Sequence, residues 1–95
     1  MSVVTAMSLS PAHAGIEEGI ALLDAGDVQA AVKEFQTSFD AGHGDGAFYI
    51  GRLFELGLGT DQDIARSAQL YAAAAAQGSA LAQNRLGLMH LNGET

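Results

Sequence analysis

Apolar residues recur in the first half of the chain at the three- and four-residue spacing of helices that bury one face. The first run follows Pro11 and contains Ile16, Gly19, Ile20 and Leu23. The second contains Val28, Ala31, Val32, Phe35 and Phe39. Between the runs, Ala25-Gly26-Asp27 breaks the periodicity, and Asp27 is a residue type that caps helix N-termini. The pattern predicts two helices of about 13 residues each, forming a hairpin over residues 11–41.

The rest of the chain predicts three more helices, separated by turns rich in glycine and aspartate. The turn DAGHGDG, residues 40–46, precedes a third helix over roughly 46–57 that is apolar on almost every side. After the turn GLGTDQD, where Asp61 or Asp63 would be the cap, a fourth helix covers roughly 63–77. Gly78 ends that helix, and Ser79 caps a fifth helix over roughly 80–92. Since alanine is abundant and β-branched residues are few, the chain predicts an all-α fold.

One pattern occurs twice in this sequence. Gly51 coincides with Gly87 when the chain is shifted by 36 positions, and Gly57 then coincides with Gly93. A repeated helical pair with a period of roughly 30 to 50 residues is typical of a solenoid, in which each hairpin buries its apolar face on the next. We therefore expect an uncharged segment, residues 1–10, followed by one repeat domain. Its parts are a hairpin at 11–41, a hairpin at 44–78 and half a repeat at 79–93, within residues 11–95.

Two stretches, GLGTDQDIARSAQLYAAAAAQGSA and ALAQNRLGLMHLNG, resemble Sel-one-like repeats, which are relatives of tetratricopeptide repeats. The residues that match the family pattern are Ile50, Gly51, Gly57, Gly59, Asp63, Tyr71, Ala74, Ala75, Gln77, Gly78, Leu86 and Gly87. Residues 44–93 carry the resemblance, whereas the shorter turn of residues 12–43 is more tetratricopeptide-like; Thr60, Leu70 and His90 depart from the pattern. The resemblance implies a right-handed α-solenoid of antiparallel hairpins with about five helices, the last repeat being incomplete. It also implies a bacterial adaptor.

Packing alone accounts for most of these motif positions. Gly51 and Gly87 lie inside helices, where glycine costs about 1 kcal/mol relative to alanine, so we expect close helix approach at both. Gly57, Gly78 and Gly93 end helices, where a left-handed residue is favoured. Ala74 and Ala75 should face the neighbouring helix, and His90 should fill an aromatic position between helices. The motif predicts a scaffold and no catalysis.

A stripe on the third helix is the main candidate for binding. Its members, spaced by three, four and three positions, are Asp45, Phe48, Arg52 and Glu55, and the residues 36 positions later are Leu81, Asn84, Leu88 and Leu91. In the family that the chain resembles, the first helix of each hairpin lines a concave groove. The resemblance thus implies a groove for a peptide or protein partner that includes Asp45, Phe48, Arg52, Glu55, Asn84 and Leu88. The alternative is that Phe48 and the leucines pack on adjacent helices, while Arg52 and Glu55 are solvated.

Composition excludes several other classes of function. The chain has eleven acidic and four basic residues, a net charge of −7 and no basic cluster, which disfavours nucleic acids and anionic membrane surfaces as partners. Without cysteine it has no disulfide, thiolate metal site or cysteine nucleophile. No apolar run reaches the roughly 20 residues of a membrane-spanning helix, so we expect no membrane insertion.

Candidate chemistry is weak throughout the chain. Asp40, His43 and Asp45 are metal-ligand types in a glycine-rich turn, but the spacing of a calcium loop is absent. The G-x-G of GLGTDQD has no preceding strand, and no histidine has a nucleophile placed by spacing. We expect no catalytic residue, metal or cofactor and no enzymatic activity. The alternatives are a self-associating structural repeat of a larger envelope protein and, disfavoured by the absence of cysteine, a hydrolase-like relative that binds cell-wall ligands.

The two ends of the chain raise separate expectations. Ala12-His13-Ala14 resembles an export cleavage site, although no basic residue precedes it, and Ser10 with Pro11 equally suits a helix start. The first interpretation places the protein in the periplasm or outside the cell; the alternative is the cytoplasm. The fifth helix has no later helix to cover it and carries five large apolar residues. We expect two or three of them to be exposed, with either a longer parent protein or a second copy covering them. In either case we expect the 95-residue chain to form a homodimer through this helix.

Overall fold

The computed structural model describes residues 15–94, which form five α-helices and no strand. The helices are α1 (Ile16–Asp24), α2 (Val28–Asp40), α3 (Asp45–Leu56), α4 (Ile64–Ala76) and α5 (Ala80–Leu91). Each helix packs on the next one along the chain, and α3 also contacts α5. The all-α prediction and the order of the five helices are confirmed.

Short polar residues begin three of these helices, as the sequence predicts. The Asp27 carboxylate accepts a hydrogen bond from the Ala30 amide, and Asp63, rather than Asp61, accepts one from Arg66 at 2.9 Å. The Ser79 hydroxyl accepts one from Ala82. Each cap satisfies a backbone N–H in the first helical turn that has no partner inside its own helix.

Helix α1 is shorter than predicted, with nine residues instead of about 13. It begins at Ile16 because Gly15 has a left-handed φ of 86°, which no helical residue adopts. The Gly15 amide donates a 3.1 Å hydrogen bond to the Glu18 side chain, which fixes this start. The predicted helix start at Ser10 and Pro11 and the candidate cleavage site at 12–14 lie outside the described residues.

Two groups of buried side chains form the core, and α3 contributes to both. The first group is Ile16, Ala31, Phe35 and Ile50, from α1, α2 and α3. The second is Ala47, Tyr71, Ala74, Ala82 and Met89, from α3, α4 and α5, with Ala75 partly buried against it. Because both core groups include residues of α3, the described residues form one continuous stack.

A glycine faces an aromatic ring inside each hairpin. A Cβ added at Gly51 would lie 2.7 Å from the Tyr71 ring, and one at Gly19 would come closer still to the Phe35 ring. The first hairpin therefore packs as the second does, despite its shorter turn. The same expectation for Gly87 is not met: this exposed residue of α5 has no described atom within 4 Å of an added Cβ. The predicted helix-ending glycines, Gly57, Gly78 and Gly93, all have positive φ, as does Gly59.

Candidate functional site

The predicted stripe of α3 does not face solvent along its whole length. Asp45, Phe48 and Arg52 are half-buried, whereas the Glu55 side chain is only 6% exposed. Ten residues of helix fall about 80° short of three full turns, so the stripe winds around α3. Its last member turns toward α4 and becomes part of the interior. Neither the groove prediction nor the solvated alternative anticipates a buried Glu55.

Side chains from three helices converge on the Glu55 carboxylate. The Tyr71 hydroxyl of α4 donates a 2.6 Å hydrogen bond to Oε1, and Arg52 Nη1, one turn earlier in α3, donates one of 2.8 Å. Arg85 of α5 donates from Nε to both carboxylate oxygens at 3.0 Å and from Nη2 to Oε2. We call these four residues the Glu55 cluster. A buried carboxylate needs such partners, because burial otherwise disfavours its charged form.

The cluster fixes the charge of both acidic members at neutral pH. Hydrogen bonds from Arg85, with further ones from Tyr71 and Arg52, lower the pKa of Glu55 to about 2 against the opposing effect of burial. Burial, and then the adjacent Glu55 carboxylate, raise the pKa of Tyr71. Two guanidinium groups thus share one carboxylate, and the cluster carries a net charge of +1 in an otherwise acidic chain.

Arg85 is the functional candidate that the sequence analysis misses. It corresponds to Tyr49 in the preceding repeat, and Tyr49 stacks on Phe35 with ring centroids 5.2 Å apart. At that position in α5 the chain has a base, which contacts α3. The chain has only four basic residues, so a basic residue at a repeat position that is aromatic in the preceding repeat is the signal that would have identified Arg85.

Asp45 also bonds within the chain. The Ser79 hydroxyl donates a 2.6 Å hydrogen bond to Asp45 Oδ1 while accepting one from the Ala82 amide. The first turn of α3 is therefore tied to the start of α5. With the Arg85–Glu55 ion pair near the other end of α3, the two helices are joined at two separated points.

Phe48 packs on neighbouring aromatic rings. Its centroid lies 5.2 Å from that of Tyr49 and 5.5 Å from that of Tyr71, and it borders the second core group. These contacts match the packing alternative for Phe48. Replacing it would remove core contacts as well as any partner contact.

The surface of α5 is largely apolar. Leu81, Arg85 and Leu88 are spaced by four and three positions and share one face. Since Arg85 contacts Glu55, this face borders α3. We call the surface formed by this face together with Asn84 and Arg52 the α3–α5 groove, after the groove that the resemblance implies. Leu81, Leu88 and Leu91 are exposed, Leu86 is half-buried and Met89 is buried. His90, expected between helices, is exposed.

Two cavities lie outside this groove. One of about 210 Å³ lies between α2, α3 and the turn after α3, and its lining includes Val28, Val32, Phe54 and Leu58. A more polar one of about 190 Å³ lies between the turns at 42–45 and 77–79. Within residues 15–94, no group of three or more acidic or histidine side chains is placed to hold a metal ion. None of the described helices has the length and apolar character needed to cross a bilayer.

Comparison with known proteins identifies the repeat. The Sel1 repeat family model matches residues 44–79 and 80–95, which together make up more than half of the chain. No curated protein and no solved structure matches the chain. The first match spans α3, α4 and the turn after α4, and the second contains α5, so the stacked hairpins are a helical-repeat solenoid. Sel1 repeats generally mediate protein–protein interaction and are typically non-enzymatic. The chain belongs to the Sel1 repeat family.

Proposed function

We propose that this protein is a non-enzymatic adaptor that holds a peptide or protein segment in the α3–α5 groove. The observation that carries this proposal is the exposure of two leucines of α5, Leu81 and Leu88, on the same face as Arg85. Exposed apolar side chains beside charged ones are typical of interaction surfaces. A segment bound there would bury the leucines and meet polar groups on both helices.

The residues predicted for the groove have two different roles in this proposal. Arg52, Asn84 and Leu88 have exposed or half-exposed side chains that a partner segment would contact. Asp45, Phe48 and Glu55 support that surface from within, through Ser79, the aromatic rings and the Glu55 cluster. Such support keeps the contact residues in fixed positions, which lowers the entropy that binding costs.

A pair of exposed leucines allows a direct test of the groove. Peptides selected from a random display library on the intact chain are titrated against Leu88→Ser and Leu58→Ser. The two leucines are 41% and 48% exposed, but Leu58 borders the cavity beside Val28 instead of the groove. We expect Leu88→Ser to weaken binding about tenfold and Leu58→Ser to leave it unchanged. Loss of binding in Leu58→Ser alone would move the site to that cavity and refute the proposal.

Self-association is a second candidate function, favoured by one residue. Leu91 is 84% exposed, and Gly87, one turn before it, is exposed as well. We propose that two copies bury Leu91 of α5 against each other as a homodimer. Light scattering at roughly 100 μM should give a dimer for the parent chain and a monomer for Leu91→Ser. A monomeric parent at that concentration would rule the dimer out.

Export of the protein remains a proposal based on the small residues at 12–14. Cleavage after Ala14 would make Gly15, the residue before α1, the first residue of the mature protein. The intact mass of the native protein tests this. A species that retains Met1 would favour the cytoplasmic alternative.

A further inference from the structure

Two of the four basic residues of this acidic chain meet in the α3–α5 groove. Arg52 and Arg85 both donate to the Glu55 carboxylate, yet each side chain is still 33% exposed. The other two bases lie on other helices: Lys33 is exposed on α2, and Arg66 of α4 lies over the Phe54 ring. Among the described residues, the groove is the one place where two positive side chains share a partner.

The two guanidinium groups have donors to spare. Each carries five N–H bonds in a rigid planar arrangement that matches the geometry of a carboxylate. Arg52 uses Nη1 on Glu55, and Arg85 uses Nε and Nη2. The Arg52 guanidinium also acts on the Tyr71 hydroxyl. The hydrogen bond to Glu55, followed by smaller contributions that include the Glu94 carboxylate, raises the pKa of Arg85. The hydrogen bonds to Glu55 nevertheless leave Arg52 Nε and Nη2 and Arg85 Nη1 unused. A third of each side chain is open to solvent, so an incoming group has access to these donors.

Glu55 holds both arginines in place from beneath. Its carboxylate is buried and is itself fixed by the Tyr71 hydroxyl. An arginine that is already ordered loses less rotamer freedom when it binds a ligand than one that moves freely in solvent. The net charge of +1 in this cluster suits one carboxylate, whereas the surrounding excess of acidic residues opposes a more highly charged anion.

We propose that the segment bound in the α3–α5 groove presents one carboxylate to Arg52 and Arg85, with an aliphatic side chain beside it on Leu81 and Leu88. The carboxylate comes from an Asp or Glu side chain or from a free C-terminus. The proposal rests on the proposed function, because it names the chemistry of the segment that the groove holds. Tyr71 and Glu55 act in it as positioning residues, and Arg52 and Arg85 as binding residues.

Peptides selected from the display library provide the test. The tightest binder is synthesised in three further forms: with its acidic side chain changed to the amide, with an amidated C-terminus, and with both changes. Loss of at least tenfold in affinity in the first form identifies a side-chain carboxylate, and the same loss in the second identifies a C-terminus. Unchanged affinity in the doubly neutral form would overturn the carboxylate proposal.

Arginine variants locate the contact. Arg52→Gln is the principal one, since Arg52 gives Glu55 a single hydrogen bond and Arg85 still holds the carboxylate. Arg66→Gln removes the same charge outside the groove and is the matched control. We expect at least tenfold weaker binding in Arg52→Gln and no change in Arg66→Gln, with circular dichroism showing both variants folded. A neutral peptide should not distinguish Arg52→Gln from the parent chain.

The outcomes separate the two proposals. If Leu88→Ser weakens binding while the doubly neutral peptide binds as well as the original, the groove is correct and the carboxylate wrong. If neither Leu88→Ser nor Arg52→Gln affects binding, both proposals fail. If Arg52→Gln and Arg66→Gln weaken binding equally, the effect is one of overall charge, and the carboxylate site is refuted.

Discussion

The Tyr71 hydroxyl donates a 2.6 Å hydrogen bond to Oε1 of Glu55, and the bond joins α4 to α3 inside the second hairpin. Phe35 occupies the position of Tyr71 in the first hairpin, 36 residues earlier, and has no hydroxyl. Leu91 corresponds to Glu55 in the next repeat. Within residues 15–94, the Tyr71–Glu55 pair therefore occurs in the middle repeat and not at the equivalent positions of the other two. Arg85 of α5 completes the cluster by donating to Glu55.

Removing the Tyr71 hydroxyl should destabilise the protein. Tyr71→Phe keeps a ring that the repeat already accepts at Phe35, but it takes one donor from a buried carboxylate. We expect the free energy of unfolding to fall by about 2 kcal/mol, the magnitude typical of hydrogen bonds to charged groups. Urea denaturation followed by circular dichroism measures the change.

Tyr49→Phe is the control for that variant. Tyr49 is half-buried and stacks on Phe35, yet its hydroxyl has no hydrogen-bond partner among residues 15–94. We expect a change of less than about 0.5 kcal/mol. Equal effects of the two substitutions would show that the Tyr71–Glu55 bond contributes nothing specific.

Lowering the pH should lower the free energy of unfolding, because Glu55 becomes protonated. Its pKa is about 2 in the folded chain, whereas the ordinary value of 4.5 applies to the unfolded chain. As pH falls, the unfolded chain therefore binds the proton first. The stabilisation from this group is fully present above pH 4.5 and is lost as pH falls toward 2. It amounts to about 3 kcal/mol at neutral pH, of which about 2 kcal/mol is lost by pH 3.

Glu55→Gln isolates this contribution from that of the other carboxylates. The difference in free energy of unfolding between the parent and Glu55→Gln should shrink by about 2 kcal/mol between pH 7 and pH 3. Urea titrations of both chains at several pH values give that difference. A gap that stays constant with pH would mean that Glu55 is not held ionised by its partners.

The fold was predictable because its signals are local. A cap such as Asp27 or Ser79 acts on amides within three residues, and the glycines that end helices act at their own positions. The apolar periodicity then specifies which side of each helix is buried. Helix α1 was predicted too long because the pattern continued back to Pro11, whereas the backbone at Gly15 is left-handed.

The Glu55 cluster was not predictable in the same way. Its members are separated by up to 33 positions, from Arg52 to Arg85, and the contacts depend on how α5 lies against α3. The three- and four-residue spacing assigned Glu55 to the same stripe as Arg52. Because that stripe winds around α3, Glu55 is buried while Arg52 stays partly exposed. Asp45 was likewise treated as a surface residue, because nothing local indicates the bond from Ser79.

Serine and alanine exchange places between the two hairpins at two buried positions, which gives a third prediction. Ser38 corresponds to Ala74, and Ser67 corresponds to Ala31; all four are buried. The Ser38 hydroxyl has no hydrogen-bond partner among the described residues, whereas that of Ser67 donates to the Ile64 carbonyl at 2.9 Å. We expect Ser38→Ala to raise stability by about 1 kcal/mol and Ser67→Ala to lower it by a similar amount. A thermal melt in which Ser38→Ala lowers the midpoint, or Ser67→Ala raises it, would contradict this prediction.

The glycines in register at 51 and 87 should respond in opposite directions to alanine. Both lie inside helices, where alanine is favoured over glycine by roughly 0.5–1 kcal/mol. At Gly87 no described atom lies within 4 Å of the added methyl, so Gly87→Ala should raise stability by that amount. At Gly51 the methyl would lie 2.7 Å from the Tyr71 ring and 3.3 Å from the Ser67 carbonyl oxygen. Moving Tyr71 also disturbs its bond to Glu55, so Gly51→Ala should lower stability by about 1–3 kcal/mol.

Urea denaturation of the two alanine variants beside the parent chain decides this prediction, because both substitutions make the same chemical change in the same repeat position. A parallel rise in stability would mean that helix propensity dominates and that Tyr71 yields at little cost. A parallel fall would mean that Gly87 is also covered in solution. Such a fall should disappear in Leu91→Ser if a second copy provides the cover, because Leu91 lies one turn beyond Gly87 on α5. Only a fall at Gly51 together with a rise at Gly87 agrees with close packing in the complete hairpin and an open face on α5.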